Sequence, residues 1–165
     1  MAATTLVSAE EYLHSTFEYD AEYVEGRIVQ RPMPKKPHSK VQVYLVRVLY
    51  DAAHPLGYEV WTEQRLRTQE SPPRFRVPDL CVTKGEPPED VFIEPPFLCI
   101  EILSPDDTAV DVRAKVHEYL AFGVVYVWVV DPTDSTGEIH TRDGIVRVED
   151  GKFRAGEIEV GILKL

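Results

Sequence analysis

Three charged residues stand where their surroundings are apolar. Asp79 follows Pro78 in R-V-P-D-L-C-V (76–82), Glu101 lies inside F-L-C-I-E-I-L-S-P (97–105), and Lys115 lies within D-V-R-A-K-V-H-E-Y (111–119). An ionised carboxylate among apolar side chains is costly unless a cation or donors compensate it, so three such groups converging would point to a metal site. If 75–82 and 97–103 pair antiparallel with Asp79 opposite Glu101, Cys81 falls opposite Cys99, because both pairs share one index sum. The two-residue period then sets all four side chains on one face. Two carboxylates that close repel, and a shared divalent cation such as Mg2+ or Mn2+ resolves the repulsion. Each residue also has a plainer reading. Asp79 can be a turn residue after proline, Glu101 a strand residue facing solvent, and Lys115 the partner of Asp111 in a helical ion pair worth only tenths of a kcal/mol.

The elements that must position these groups are legible in order. Ser8 to Glu11 has the spacing of a capping box and predicts a short helix to His14. Glu25-Gly26 reads as the turn of a hairpin over 22–29, and the Pro-rich stretch 31–37 breaks regular structure. Val41, Tyr44, Leu45, Val48, Leu49 and Ala52 follow helical spacing within 39–53. Strands are expected over 58–67 and 75–82, flanking Ser71-Pro-Pro73, and over 97–103; the acidic, Pro-containing 83–96 is a surface loop and a candidate lid. Asp107 or Thr108 caps a helix ending at Gly123, with Val112, Val116, Tyr119 and Leu120 as its inner stripe. The unbroken run 124–130 predicts a strand buried on both faces, followed by short polar strands around Asp143-Gly144 and Asp150-Gly151.

A chain of 165 residues, 44% hydrophobic and 28% charged, suits one globular domain, with a core over about 8–132 and a β-rich C-terminal extension over 133–165. No apolar run has the length of a membrane span and residues 1–8 lack a signal-peptide pattern, so the expectation is a cytoplasmic protein without a membrane partner. Cys81 and Cys99 fit buried free thiols in a reducing compartment. A net charge of −10 repels a polyanion, so any phosphate-binding surface must be local.

Pro78-Asp79, Glu101-Ile-Leu-Ser-Pro105, Asp111-x-x-x-Lys115-x-x-x-Tyr119, Gly123 and Val127-Trp128-x-x-Asp131-Pro132, in that order, resemble the Uma-type endonucleases of the restriction-endonuclease-like, PD-(D/E)xK superfamily. The resemblance covers about 8–132, with Glu22-Tyr-Val-Glu-Gly26 similar to the family's acidic hairpin and His38 to its histidine before the first long helix. It implies an α/β fold with an αβββαβ core, in which a mixed sheet is flanked by helices. It further implies hydrolysis of DNA phosphodiester bonds, Asp79 and Glu101 as ligands of a catalytic Mg2+, Glu22 as a further acid, and Lys115 orienting the attacking water and offsetting phosphate charge. Leu103 stands where the superfamily signature has lysine, so the lysine comes from the following helix, as in the Uma-type group. Ala21 and Arg27 replace the aromatic and acidic residues common in the family's hairpin.

Other residues admit two readings. His38 can deprotonate water or bind phosphate, or simply cap and pack a helix start; Lys35, Lys36 and Lys40 surround it. Arg65, Arg67, Arg74 and Arg76 would form a basic strip for a phosphate backbone or protect a sheet edge. Trp128 and Phe122 read as core, and Ser104 has no histidine beside it to make it a nucleophile. Two rivals to the nuclease remain: a non-catalytic binding module on the same fold, and a phosphohydrolase acting on a smaller nucleotide. A homodimer, through the strands of 137–165, would bring two sites to two DNA strands.

Overall fold

The computed structural model describes residues 6–17 and 21–162. Residues 1–5 of the N-terminal stretch and 163–165 of the candidate dimer surface lie outside them. Ser8 caps α1 (Ala9–His14), with both hydrogen bonds of the capping box made to Glu11. The hairpin of β1 (Ala21–Val24) and β2 (Arg27–Gln30) turns through Glu25 at φ 51° and Gly26 at φ 89°, a left-handed pair that favours glycine.

Helix α2 (Lys36–Ala53) begins three residues earlier than the apolar spacing predicts. Pro37 falls within the first turn, where a missing N–H is tolerated, so the proline that should break structure opens the helix instead. The two long strands expected at 58–67 and 75–82 each divide. Glu63 takes a left-handed φ of 52° between β3 (Tyr58–Thr62) and β4 (Leu66–Gln69), and Val77-Pro78 separates β5 (Arg74–Arg76) from β6 (Leu80–Lys84). Strand β3 pairs with β6 and β4 with β5, so one bent hairpin serves two sheets.

The larger sheet continues through β7 (Leu98–Ile102), β8 (Tyr126–Val130), β9 (Gly137–Thr141) and β10 (Gly144–Val148), in the order β10-β9-β8-β7-β6-β3. Strands β7 and β8 are parallel, joined by α3 (Ala109–Phe122), and the other pairings are antiparallel. The smaller sheet runs β2-β1-β5-β4, with Tyr12, Tyr23 and Phe75 packed beside it. A last hairpin, β11 (Lys152–Ala155) and β12 (Ile158–Gly161), sends Phe153, Ala155, Ile158 and Val160 into the same core as α2.

Alternation sorts the central strands between two cores. Leu80, Val82, Leu98, Ile100, Trp128 and Val130 face α2, whereas Cys81, Cys99, Val127 and Val129 face α3. Both faces of β8 are covered, which is why 126–130 reads as a continuous apolar run, whereas Val125, expected in the same buried strand, precedes it and is 48% exposed. The loop proposed as a lid is tied down midway. Phe92 is buried and exchanges backbone hydrogen bonds with Arg65 and Arg67. Among the described residues no helix is long and apolar enough to cross a membrane.

Candidate active site

The β6–β7 register is Leu80↔Ile100, Cys81↔Cys99 and Val82↔Leu98, the index sum expected from sequence. Cys81, Cys99 and Glu101 share the α3 side as expected, but Asp79 stands just before the ladder. Its Oδ2 accepts a 2.7 Å hydrogen bond from the Ile102 N–H and lies 3.2 Å from His38 Nε2 on α2. Asp79 Oδ1 accepts from the Arg31 guanidinium. Burial opposes ionisation of Asp79, but His38 and the charge of Arg31 outweigh it and hold its pKa below the ordinary carboxylate value.

Glu101 is fixed from α3. Tyr119 donates to its Oε1 at 2.6 Å, and Lys115 Nζ lies 3.3 Å from its Oε2. Lys115 does not spend its charge on Asp111; it spans to Glu22 Oε1, also at 3.3 Å. Burial raises the pKa of Glu101, which Lys115 opposes and the neighbouring Asp79 and Glu22 reinforce. Burial works against the Lys115 charge, yet Glu101 and Glu22 raise its pKa above the ordinary lysine value. Glu22 comes in from β1, 1% exposed, and accepts from Arg76 at 2.8 Å and from the Val77 N–H at 3.2 Å. Both sheets, α2 and α3 thus deliver Glu22, His38, Asp79, Glu101 and Lys115 to one place.

The match to a known family reaches across all of these residues. A sequence profile for Uma2, described as putative restriction endonuclease, matches residues 9–158. This chain belongs to the Uma2 family. Among solved structures it is similar to a putative nuclease belonging to DUF820 from Anabaena variabilis, with 26% identity, a TM-score of 0.80 and 94% of each chain covered. No curated protein matches. The α/β fold, a mixed sheet flanked by helices, is that of this nuclease-like neighbour. The family match runs past Pro132 into the C-terminal strands, further than the motifs alone reach.

Three of the four arginines expected to line a phosphate backbone, Arg65, Arg74 and Arg76, are otherwise engaged in this Uma2 chain. Arg76 is buried and lies 2.8 Å from both Glu22 and Glu118. Arg74 binds Glu25 and Glu118, and the Arg65 guanidinium lies over the Tyr12 ring. Glu118 also accepts from Thr68, which ties α3 to β4. Sequence reading missed Arg31 and Glu118 as members of the site's charge network. Their partners lie 48 and 42 positions away, and no local spacing marks such pairs. Tyr119, one turn after Lys115 and in the quoted motif, carried a usable signal.

Beside Asp79, Glu101 and Lys115 is a recess of about 20 Å3, room for one water or ion. His38 Nδ1 and Ser104 Oγ, on residues that line it, are buried without a hydrogen-bond partner. Among the described residues no cluster of three or more His, Cys, Asp or Glu side chains is spaced to hold a metal. Two hard carboxylates nonetheless suit Mg2+, which keeps several waters and takes one or two protein carboxylates together with substrate phosphate. Asp79 and Glu101 fit that role. The Cys81 and Cys99 thiols do not join it, since burial pushes both pKa values well above the usual thiol range.

Proposed function

We propose that this Uma2 chain is a Mg2+-dependent endonuclease that hydrolyses phosphodiester bonds in DNA. The observation that carries the reading is the convergence of Asp79, Glu101 and Lys115 on one recess, with Glu22 braced behind the lysine. Asp79 and Glu101 would hold the metal. When bound, Mg2+ supplies a Lewis acid and an acidified water. The protein's own groups do the positioning. The Ile102 N–H and Tyr119 hydroxyl fix the two carboxylates, and Glu22 steadies the Lys115 ammonium, a compact charge suited to the scissile phosphate. His38, hydrogen-bonding distance from Asp79 and with a free Nδ1, is placed to orient or accept a proton from water. A cavity of about 390 Å3, sharing His38 and Ser104 with the recess and walled by Pro37, Pro105 and Pro132, has room for the sugar and base beside that phosphate.

Phosphodiester hydrolysis on DNA fits a cytoplasmic protein, and two copies paired along the exposed edge of β10 would present two sites to a duplex. The test is calorimetric titration of Mn2+ into the parent, Asp79→Asn and Glu101→Gln, followed by plasmid nicking. Binding by the parent that both variants lose, with nicking reduced at least about 100-fold, is the expected result. Absence of metal binding in the parent would sink the mechanism and leave the non-catalytic module, whose motivating features are Leu103 in place of lysine and the net charge of −10. Metal binding with nucleotide turnover but no cleavage of any DNA form would move the substrate to the smaller phosphate ester.

A further inference from the structure

Arg31 follows directly on β2 and precedes a proline-interrupted stretch outside regular structure, so no sheet ladder holds its backbone. Its side chain is nevertheless only 13% exposed, and its guanidinium donates to Asp79 Oδ1. The other oxygen of Asp79 is already committed to the Ile102 N–H and His38 Nε2. Oδ1 is therefore the oxygen left for a cation, and Arg31 sits on it.

Charge repulsion points the same way. Arg31 bears on Asp79 and Lys115 on Glu101, and all four residues line the recess. A divalent ion added to that set would meet the nearby guanidinium at short range, whereas release of Arg31 removes the cation that occupies the same carboxylate oxygen. Lys115 is held on α3 between Glu22 and Glu101.

On the reading of Asp79 and Glu101 as a metal site, we propose that Arg31 is a resident counter-cation that a divalent metal must displace from Asp79. The swing of Arg31 out of the recess is then part of loading the site. A guanidinium released at the mouth of the recess is available to the phosphate of an incoming substrate, where its planar fork pairs well with phosphate oxygens.

The first test uses the full chain and Mn2+ as the only added metal. Arg31→Ala and Arg31→Gln are titrated by calorimetry beside the parent, with Asp79→Asn as the blank and circular dichroism reporting fold. Either folded Arg31 variant should bind Mn2+ about ten-fold or more tightly than the parent, because the competitor is gone. A second measurement needs no variant: nuclear magnetic resonance of the Arg31 Nη–H groups in the parent, which should lose the carboxylate-bound shift of the bond to Asp79 and gain mobility as Mg2+ saturates the site. Equal or weaker Mn2+ binding in a folded Arg31 variant, or Arg31 Nη–H signals unmoved by saturating Mg2+, would overturn the exchange while leaving the metal site intact. No Mn2+ binding in parent or variants would instead remove the metal reading on which it rests.

Discussion

Lys115 answers two carboxylates at once, Glu22 and Glu101, each 3.3 Å from its Nζ. Removing its charge leaves both acids underpaired in a buried site, and breaking a buried ion pair costs about 3 kcal/mol or more. Lys115→Met should accordingly lower unfolding free energy by about that amount in a urea titration. It should also lower DNA cleavage while leaving Mn2+ binding at least as tight, since a competing cation has gone. A parallel loss of Mn2+ affinity would reassign Lys115 to holding the metal ligands in place. Tyr119 supports the same carboxylate from the next turn of α3, so Glu101 has a neutral donor on one oxygen and a cation on the other.

At the scale of elements, α3 reaches the small sheet through a carboxylate as well as through the Lys115–Glu22 pair. Glu118 meets Arg76 on β5 and Thr68 on β4. Burial disfavours its charge, but the hydrogen bonds from Arg76 and Thr68 prevail and lower its pKa from the ordinary 4.5. A depressed carboxylate contributes stability above its ordinary pKa and loses it as pH falls through the folded value. Glu118→Gln should therefore melt below the parent at pH 7, and the gap between their melting temperatures should close under acid conditions below that ordinary value. A gap independent of pH would place the contribution in packing. Local spacing made much of this architecture readable beforehand: the capping box at Ser8 and Glu11, the Glu25-Gly26 turn, the Thr108 cap and Gly123 stop of α3, and the register that sets Cys81 against Cys99. What escaped was non-local. Nothing in the apolar pattern announces that Glu63 will bend one strand into two sheets, or that Arg76 will turn inward to Glu22 and Glu118 rather than outward to phosphate.

For the whole molecule the governing quantity is a net charge of −10. Strand β10 forms one edge of the large sheet and bares Ile145 and Val146, 61% and 62% exposed. Pairing of two copies along that edge must overcome their mutual repulsion, so sedimentation should show the dimer strengthening with added salt, whereas DNA binding weakens with it. Val146→Lys should give a monomer at every salt concentration with Mn2+ binding unchanged. A parent that stays monomeric at high salt would remove β10 as the contact. One pair of side chains also offers a clock. Cys81 and Cys99 are wholly buried and face each other across the two strands whose ends carry Asp79 and Glu101. A thiol reagent can reach them only when α3 lifts from the sheet or those strands part, so the rate of labelling times local opening beside the site without any engineered probe. A divalent cation clasping the strand ends should slow that clock by the factor through which it favours the closed protein.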